Sequence, residues 1–219
     1  MNYKKFDIES WNRKEHFYHY KDQLRCSFSL TTKIDITKVI PFIKERGYKF
    51  YPVIIYLIAK AVNKHPEFKF AMKDGELIQW DTVNPAYTTM HAETETFSEL
   101  CTAYTDDLKS FLKEYDIVQE KYKGNYAISP QNGIDNTFNI SMLPWISFDG
   151  FNLNLPDFGA YFAPIFTLGK YVSNSEEVLM PLSIQVHHAT CDGLHVARLL
   201  HSLQEFCDNI KDWNELRFE

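Results

Sequence analysis

The chain has 219 residues, of which 45% are hydrophobic and 16% aromatic, and its formal net charge is −6 at pH 7. A chain of this length and composition can bury a sizeable core, so we expect a single domain spanning residues 1–219. The negative charge argues against nucleic acid as a partner, because nucleic-acid binding normally needs a basic face. Small molecules are the expected partners.

The cysteines and the apolar runs bear on the cellular compartment. Cys26, Cys101, Cys191 and Cys207 show no C-x-x-C spacing, which favours free thiols in a cytoplasmic protein. The first residues are polar, unlike the apolar core of a signal peptide. The longest apolar run ends before Lys60 and is far shorter than the roughly 20 residues that cross a bilayer. We therefore expect a cytoplasmic protein without a membrane anchor.

Periodicity and turn residues predict the elements of the first third of the chain. These are a helix from a Ser10 cap to about Tyr20, a strand from Arg25 to Ile36, a short helix ending before Gly47, and a buried helix from Val53 to Asn63 with Pro52 in its first turn.

A hairpin and a helix are predicted next. The tetrapeptide Lys73-Asp74-Gly75-Glu76 separates two short apolar runs, which is a strong hairpin signal. The two strands are Phe68 to Met72 and Leu77 to Trp80, and a third strand, Ala86 to Ala92, is expected to extend this meander. Thr105 is the expected cap of a helix from Asp106 to Lys123, which Gly124 ends, and Asn125 to Asn136 is interpreted as a surface loop.

The remaining pattern predicts mostly strands and one final helix. The strands are Phe138 to Leu143, Phe148 to Leu153, Ile165 to Val172 and Val178 to His188. Many strands with few helices favour an α/β fold, a two-layer sandwich with helices packed on one face of a mixed, mostly antiparallel sheet.

The stretch from Pro181 to Arg198 combines a strand, a turn and a helix. Leu182 to Val186 alternates apolar and polar residues, so a half-buried strand should deliver two consecutive histidines at its end. Asp192 and the glycine after it form the turn before an apolar helical face. Histidine has an unperturbed pKa near neutrality, which suits His188 to general-base work. A lone histidine at a strand end is more often a packed or surface residue, but the His-His pair followed by Asp-Gly favours a reactive base.

The stretch HHATCDG, residues 187–193, resembles the signature HHAxCDG of the chloramphenicol acetyltransferases. Further segments match that family in its order: Trp11 to Phe17, Tyr48 to Pro52, Thr94 to Ser98, Pro144-Trp145 and Phe162 to Pro164. The resemblance covers essentially the whole chain. The spacing H-x-x-x-D-G alone is shared with dihydrolipoamide acyltransferase cores and other CoA-dependent acyltransferases, so the surrounding segments select the family.

The resemblance implies the CoA-dependent acyltransferase fold, a homotrimer with active sites at subunit interfaces, and a role in antibiotic resistance. The acetyl group of acetyl-CoA would pass to the 3-hydroxyl of chloramphenicol without an acyl-enzyme. His188 would be the general base, and an ion pair between Asp192 and Arg13 would lock the loop that holds it. Ser141 would donate to the oxyanion, and Thr167 would help through a bound water.

The resemblance also implies two sets of binding residues. The acceptor pocket would be lined by Tyr20, Phe28, Phe97, Phe151 and Leu153. The CoA channel would be bordered by Tyr51, Trp145, Lys170 and Tyr171. Acetyl-CoA would be a co-substrate, and no metal or permanently bound cofactor is expected. Two positions depart from the family pattern: Thr190 stands where valine is expected, and His19 stands where an aromatic residue is more usual.

Several alternatives remain beside this reading. A Cys191–histidine dyad would need the thiol to face the imidazole, and it is disfavoured. A dihydrolipoamide acyltransferase core is disfavoured because such chains carry lipoyl domains and Ala/Pro-rich linkers ahead of the core. Another hydrophobic alcohol or antibiotic could be the acceptor on the same fold. A protein that sequesters a drug without turnover would not need a base, an oxyanion donor and a bracing ion pair.

Overall fold

A computed structural model describes residues 2–155, 159 and 161–212. Its strands are β1 (Tyr3–Lys5), β2 (Ser27–Asp35), β3 (Phe70–Lys73), β4 (Glu76–Trp80), β5 (Asn84–His91), β6 (Thr96–Cys101), β7 (Thr137–Leu143), β8 (Ile165–Gly169), β9 (Val172–Ser173) and β10 (Val178–His187). Its α-helices are α1 (Lys14–Tyr18), α2 (Val39–Arg46), α3 (Phe50–Lys64), α4 (Leu108–Lys121) and α5 (Gly193–Asp208). A π-helical turn, His19–Gln23, extends α1, and a 3₁₀ turn, Pro66–Phe68, follows α3.

A mixed sheet and the helices on one of its faces form the core. In the described part of the chain, the strand order is β2-β10-β8-β7-β5-β6, with β9 paired to β10. Strand β7 runs parallel to both of its neighbours, and the other pairs are antiparallel. Alternate residues of the central strands join the helices in one buried cluster. This confirms the two-layer α/β architecture with a mixed, mostly antiparallel sheet.

Helix α3 lies at the centre of that core. Its residues from Pro52 to Ala59 are all buried, as are Ala61 and Val62, so the helix is apolar on most sides, as the sequence predicted. It packs against α4 and α5 as well as the sheet. No helix within the described ranges is long and apolar enough to span a membrane.

The other face of the sheet carries a row of hydroxyl groups. The strand register aligns Thr31, Ser183, Thr167 and Ser141 across β2, β10, β8 and β7. Residues paired in register project from the same face. On the next strand, Thr88 donates a hydrogen bond from Oγ1 to Ser141 Oγ at 3.5 Å. The row therefore fixes the position of Ser141 relative to the end of β10.

The predicted hairpin is confirmed, but the strand expected to extend it is not. Asp74 and Gly75 both have positive φ, at 52° and 80°, as a type I′ turn requires. The third strand of this small sheet is β1, which pairs with β4. Strand β5 lies instead in the main sheet between β7 and β6. Alternating residues give a strand its two faces but do not specify its partner.

Two helix caps differ from the prediction. Helix α1 begins at Lys14 without a side-chain cap, because the hydroxyl of Ser10 donates to the carbonyl of Asp7 instead. Helix α4 is capped by Asp107, whose carboxylate accepts from Ser110 N at 2.7 Å, and not by Thr105. Several oxygen-bearing side chains stand near each start, and only the local backbone decides which one reaches a free N–H.

The segment predicted as a strand from Phe148 to Leu153 is irregular. Side chains of the outer sheet face hold its backbone: Phe151 N donates to Thr31 Oγ1 at 3.3 Å, and Ser183 Oγ donates to Phe151 O at 2.8 Å. Leu153 N donates to Gln185 Oε1 at 3.1 Å. The segment therefore lies across the outer face of β2 and β10.

The strand predicted from Ile165 to Val172 is interrupted after Gly169. A Cβ atom on Gly169 would lie 2.9 Å from the ring of Phe148 and 3.2 Å from Pro181 Cβ, so a glycine lets Phe148 pack closely on the sheet. Lys170 N then donates to Ile146 O at 2.8 Å. The chain resumes strand pairing at Val172.

Candidate active site

His188 follows the last residue of β10 and is held between aromatic rings. Its backbone N–H donates to Cys26 O at 2.9 Å. The ring of Tyr20 stacks on the imidazole with centroids 3.9 Å apart and planes 1° from parallel, and Phe28 meets it at 5.0 Å and 62°. Tyr20 lies in the π-helical turn, a distortion that is frequent at functional sites. The stacking fixes the plane of the imidazole.

The two ring nitrogens of His188 have different surroundings. Nδ1 is buried and accepts or donates no hydrogen bond within the described residues. Nε2 is not one of the buried nitrogens that lack a partner, so of the two ring nitrogens it is the one that we expect a small molecule to reach.

Arg13 and Asp192 form an ion pair behind this histidine. Arg13 Nη1 lies 2.6 Å from Asp192 Oδ2, with side-chain exposures of 14% and 35%, respectively. Arg13 Nη2 also donates to His188 O at 3.4 Å. Burial raises the pKa of Asp192, but the hydrogen bond from Arg13 and the charges of His195 and Arg13 outweigh it and leave the pKa below its usual value. The carboxylate is thus ionised and braces the loop.

Substitution of either partner of this ion pair should reduce activity. We expect Arg13→Ala and Asp192→Asn each to lower kcat by about tenfold or more, because contacting partners are typically coupled by about 0.5–3 kcal/mol and this pair orders the loop that carries His188. The kcat of the double variant should be no lower than that of the less active single variant, since either substitution alone already removes the Arg13–Asp192 ion pair. Steady-state rates of the three variants test this, and losses that multiply would contradict the pairing.

His187, the last residue of β10, is fully buried. Its Nδ1 accepts from Ala189 N at 3.1 Å, so the proton of the neutral ring is on Nε2. Burial is the main reason that the pKa of His187 falls to about 4. The ring of Phe162 packs against it edge-on at 4.9 Å. His187 is therefore a neutral residue that shapes the loop.

This buried histidine predicts a loss of stability in mild acid. Its pKa is about 4 in the folded protein and about 6.5 unfolded, so the unfolded chain binds more protons between these values. The contribution of His187 to the free energy of unfolding is complete above pH 6.5. It declines towards pH 4, by up to about 1.4 kcal/mol per pH unit.

Denaturant titrations at fixed protein concentration measure this slope. His187→Asn keeps an acceptor for the N–H of Ala189 but does not titrate in this range, so its free energy of unfolding should depend less on pH. Equal slopes for the wild type and the variant would show that folding does not shift the pKa of His187.

The two residues between Ala189 and Asp192 are buried. Thr190 Oγ1 donates to His187 O at 3.3 Å, so the hydroxyl that departs from the family pattern adds a bond within the loop. Cys191 is 1% exposed, and burial raises the pKa of its thiol to about 12. Its Sγ lies 3.6 Å from His187 O. A neutral, buried thiol of this kind is inert.

Two of the residues expected in an acceptor pocket, Tyr20 and Phe28, contact His188, and Phe28 shares a groove with two others. Phe28, Phe151 and Leu153 line a groove of about 650 Å³, and Tyr20 stacks on the imidazole from another side. Phe97 does not join them. It lies on β6, the far edge of the sheet, where its side chain is 48% exposed and pairs with Met90.

Ser141 is also separated from His188 within one chain. Its register partner Thr167 is in turn level with Ser183 of β10, and Ser183 precedes His188 by five residues. At about 3.3 Å per residue, this is about 17 Å along the strand. Ser141 lies near Phe97 instead, since Thr88 contacts Ser141 and shares a sheet face with Met90. The predicted site residues of one chain therefore fall into two separate groups, here called half-sites, the first around His188 and the second around Ser141.

The residues expected along a CoA channel come together near the second half-site. Tyr51 OH donates to Ile140 O at 3.4 Å, and burial raises the pKa of Tyr51. Tyr171 packs against Phe50, the neighbour of Tyr51, with ring centroids 5.3 Å apart. Lys170 is bonded to the residue that follows Trp145, whose side chain is 66% exposed. In the described ranges, no group of three or more His, Cys, Asp or Glu residues could hold a metal ion.

Some residues of the site were missed from the sequence. His195 contacts Asp192 and lies near Glu67, and Thr88 contacts Ser141. His195 is the third residue after the helix cap, a position whose side chain often bonds back to the cap. That signal was available. The positions of Glu67 and Thr88 depend on long-range packing.

Solved structures define the fold class. One described as chloramphenicol acetyltransferase superposes with a TM-score of 0.84 at 20% identity, covering 94% of this chain and 100% of that chain. A probable dihydrolipoamide acetyltransferase from Listeria monocytogenes 4b F2365 superposes with a TM-score of 0.63 at 16% identity, covering 91% of both chains. The fold is that of the CoA-dependent acyltransferases.

Sequence comparison then defines the family. Residues 1–204 match the family described as Chloramphenicol acetyltransferase. Chloramphenicol acetyltransferase 2 of Escherichia coli is 51% identical over 96% of this chain and 99% of its own length. Chloramphenicol acetyltransferase 3 of Escherichia coli is 52% identical over 95% and 99%. The chain belongs to the chloramphenicol acetyltransferase family and is an acyltransferase, which confirms the resemblance drawn from its motifs.

Proposed function

We propose that this enzyme transfers the acetyl group of acetyl-CoA to the 3-hydroxyl of chloramphenicol and so inactivates the antibiotic. The observation that carries the proposal is the placement of His188. Its imidazole is held between Tyr20 and Phe28 beside a groove of about 650 Å³, and Nε2 is the ring nitrogen that we expect a substrate to reach. The choice of chloramphenicol as acceptor and acetyl-CoA as acetyl donor rests on membership of the family.

In the proposed reaction His188 is the general base. Nε2 takes the proton of the acceptor hydroxyl as its oxygen attacks the thioester carbonyl, which gives a tetrahedral oxyanion. The oxyanion collapses, the carbon–sulfur bond breaks, and the proton passes from His188 to the CoA thiolate. Ser141 donates a hydrogen bond to the oxyanion, and Thr167, level with it on β8, assists through a bound water. No acyl-enzyme forms.

The groove suits the proposed acceptor. Chloramphenicol has a nitrophenyl ring and two hydroxyls, and an aromatic pocket with a few polar handles matches that chemistry. Phe28, Phe151 and Leu153 supply apolar surface, while Ser29 and Gln185 add polar groups to the same groove. Acetyl-CoA would enter along Tyr51, Trp145, Lys170 and Tyr171.

The proposal includes a homotrimer, because one chain separates the base from the oxyanion donor. A second copy that presents Ser141 and Phe97 to His188 of the first would complete the site. Such a contact joins two different surfaces, and a contact of this type forms a ring when the rotation between copies closes. The exposed Met90 and Phe97 would be covered by this contact. The number of copies, three, and a single domain over residues 1–219 are parts of the proposal that rest on the resemblance to the family.

A cytoplasmic location is part of the proposal. All four cysteines are free, as is usual in a reducing compartment.

A thiol-release assay tests the proposed function. Purified protein with acetyl-CoA and chloramphenicol should release CoA thiol and form the 3-acetyl ester, identified by mass spectrometry. An analogue without the 3-hydroxyl should compete for binding and release no thiol. Thiol release with dihydrolipoamide but not with chloramphenicol would favour the lipoamide-linked relatives, and tight binding without thiol release would indicate a sequestering protein.

A further inference from the structure

The side chain of His195 contacts Asp192 on the side away from Arg13. Its Nδ1 lies 3.1 Å from Asp192 N and 2.9 Å from Asp192 Oδ1, whereas Arg13 binds Oδ2. Its Nε2 lies 3.8 Å from Glu67 Oε1. The side chains of His195 and Glu67 are only 12% and 23% exposed. The carboxylate of Asp192 is therefore held between two basic side chains.

We propose that His195 is a positioning residue for acetyl transfer and that Glu67 holds His195 in place. The contacts run from Glu67 through His195, Asp192 and Arg13 to the carbonyl of His188. Because Arg13 bonds both the carboxylate and that carbonyl, a displaced Asp192 would displace the residue that carries the base. The inference rests on the proposed function and extends it to two residues outside the ion pair.

Asp192 and His195 form a capping box at the start of α5, but that motif accounts for only one of these contacts. In a capping box, the side chain at this position bonds the N–H of the cap residue. The imidazole lies close to both the N–H and the carboxylate of Asp192, and its protonation state decides which of the two it bonds. A ring with a proton on Nδ1 donates to Oδ1, and a neutral ring with its proton on Nε2 accepts from Asp192 N and points that proton towards Glu67. Either state restrains Asp192.

The test compares three substitutions with a control on the same helix. His195→Ala should lower kcat by about tenfold to a hundredfold, the loss expected when a reacting group is misplaced, and change KM for both substrates by less than about twofold. His195→Asn places an oxygen near the Nδ1 position and should restore most of kcat. Glu67→Gln should lower kcat by a few-fold. His201 is exposed on α5, so His201→Ala should match the wild type.

A double variant and a crystal structure distinguish a positioning role of His195 from a general loss of stability. In an Asp192→Asn background, His195→Ala should add less than about a twofold loss, because the contact it removes no longer orders the ion pair. A crystal structure of His195→Ala, which needs no turnover, should show Arg13 displaced from His188 O. If the wild type releases no thiol, the proposed function fails, while this structure still decides the inference.

The inference would be overturned if Asp192, Arg13 and His188 kept their wild-type positions in that structure. It would also be overturned if folded His195→Ala had the wild-type kcat. If His195→Ala does not fold, Glu67→Gln decides in its place: wild-type kcat in that variant overturns the proposal, and a lower kcat at unchanged KM supports it.

Discussion

His188→Ala should lower kcat for acetyl transfer by about 10⁴-fold, the upper end of what a general base contributes, while the affinity for chloramphenicol changes little. The base acts in the transition state, whereas the aromatic groove supplies ground-state binding. Removing the imidazole also removes one face of the stack with Tyr20, so a small change in affinity is expected. Thiol-release kinetics and calorimetric titration with chloramphenicol measure the two quantities separately.

A histidine that lies elsewhere provides the control for this variant. His201→Ala removes an exposed imidazole from α5 and should leave both kcat and affinity unchanged. Activity of His188→Ala within tenfold of the wild type would exclude His188 as the base. A large loss of chloramphenicol affinity with little change in kcat would assign it to binding.

Ser141→Ala should reduce kcat by about 10²- to 10³-fold, the usual effect of losing one oxyanion donor, and barely change KM for either substrate. The charge that Ser141 would stabilise exists only after the hydroxyl has attacked, so the hydrogen bond contributes nothing to the ground state. Steady-state kinetics with both substrates measure the effect. Ser110→Ala, at an exposed position of α4, is the matched control.

A KM that rises at unchanged kcat would reassign Ser141 to substrate binding. Co-expression of Ser141→Ala with His188→Ala adds a sharper test, because the two half-sites lie apart in one chain. If neighbouring subunits share each site, three-quarters of randomly mixed trimers contain both variants, and one site in three is intact in each. Activity should then recover to about one quarter of the wild-type value. No recovery would mean that one chain builds its own site.

The local sequence predicted the elements whose chemistry is complete within a few residues. The Asp-Gly turn between β3 and β4 required positive φ, and Asp74 with Gly75 provides it. Helix α3 is apolar on most sides and was correctly predicted as buried. The strand and helix around His188 followed from a change of periodicity at one turn. The motif residues, and through them the family, were identified from the sequence because they too lie within a few residues of one another.

Only the tertiary structure decided how these pieces meet. The pattern of β5 fits any neighbour, and its pairing with β7 depends on residues about fifty positions later. The segment carrying Phe151 has no strand partner and is bonded to side chains on the sheet. The same register separates Ser141 from His188, and long-range packing brings Glu67 and His195 to the ion pair. Side-chain type and spacing specify local geometry, whereas partners distant in the chain are selected by packing of the whole core.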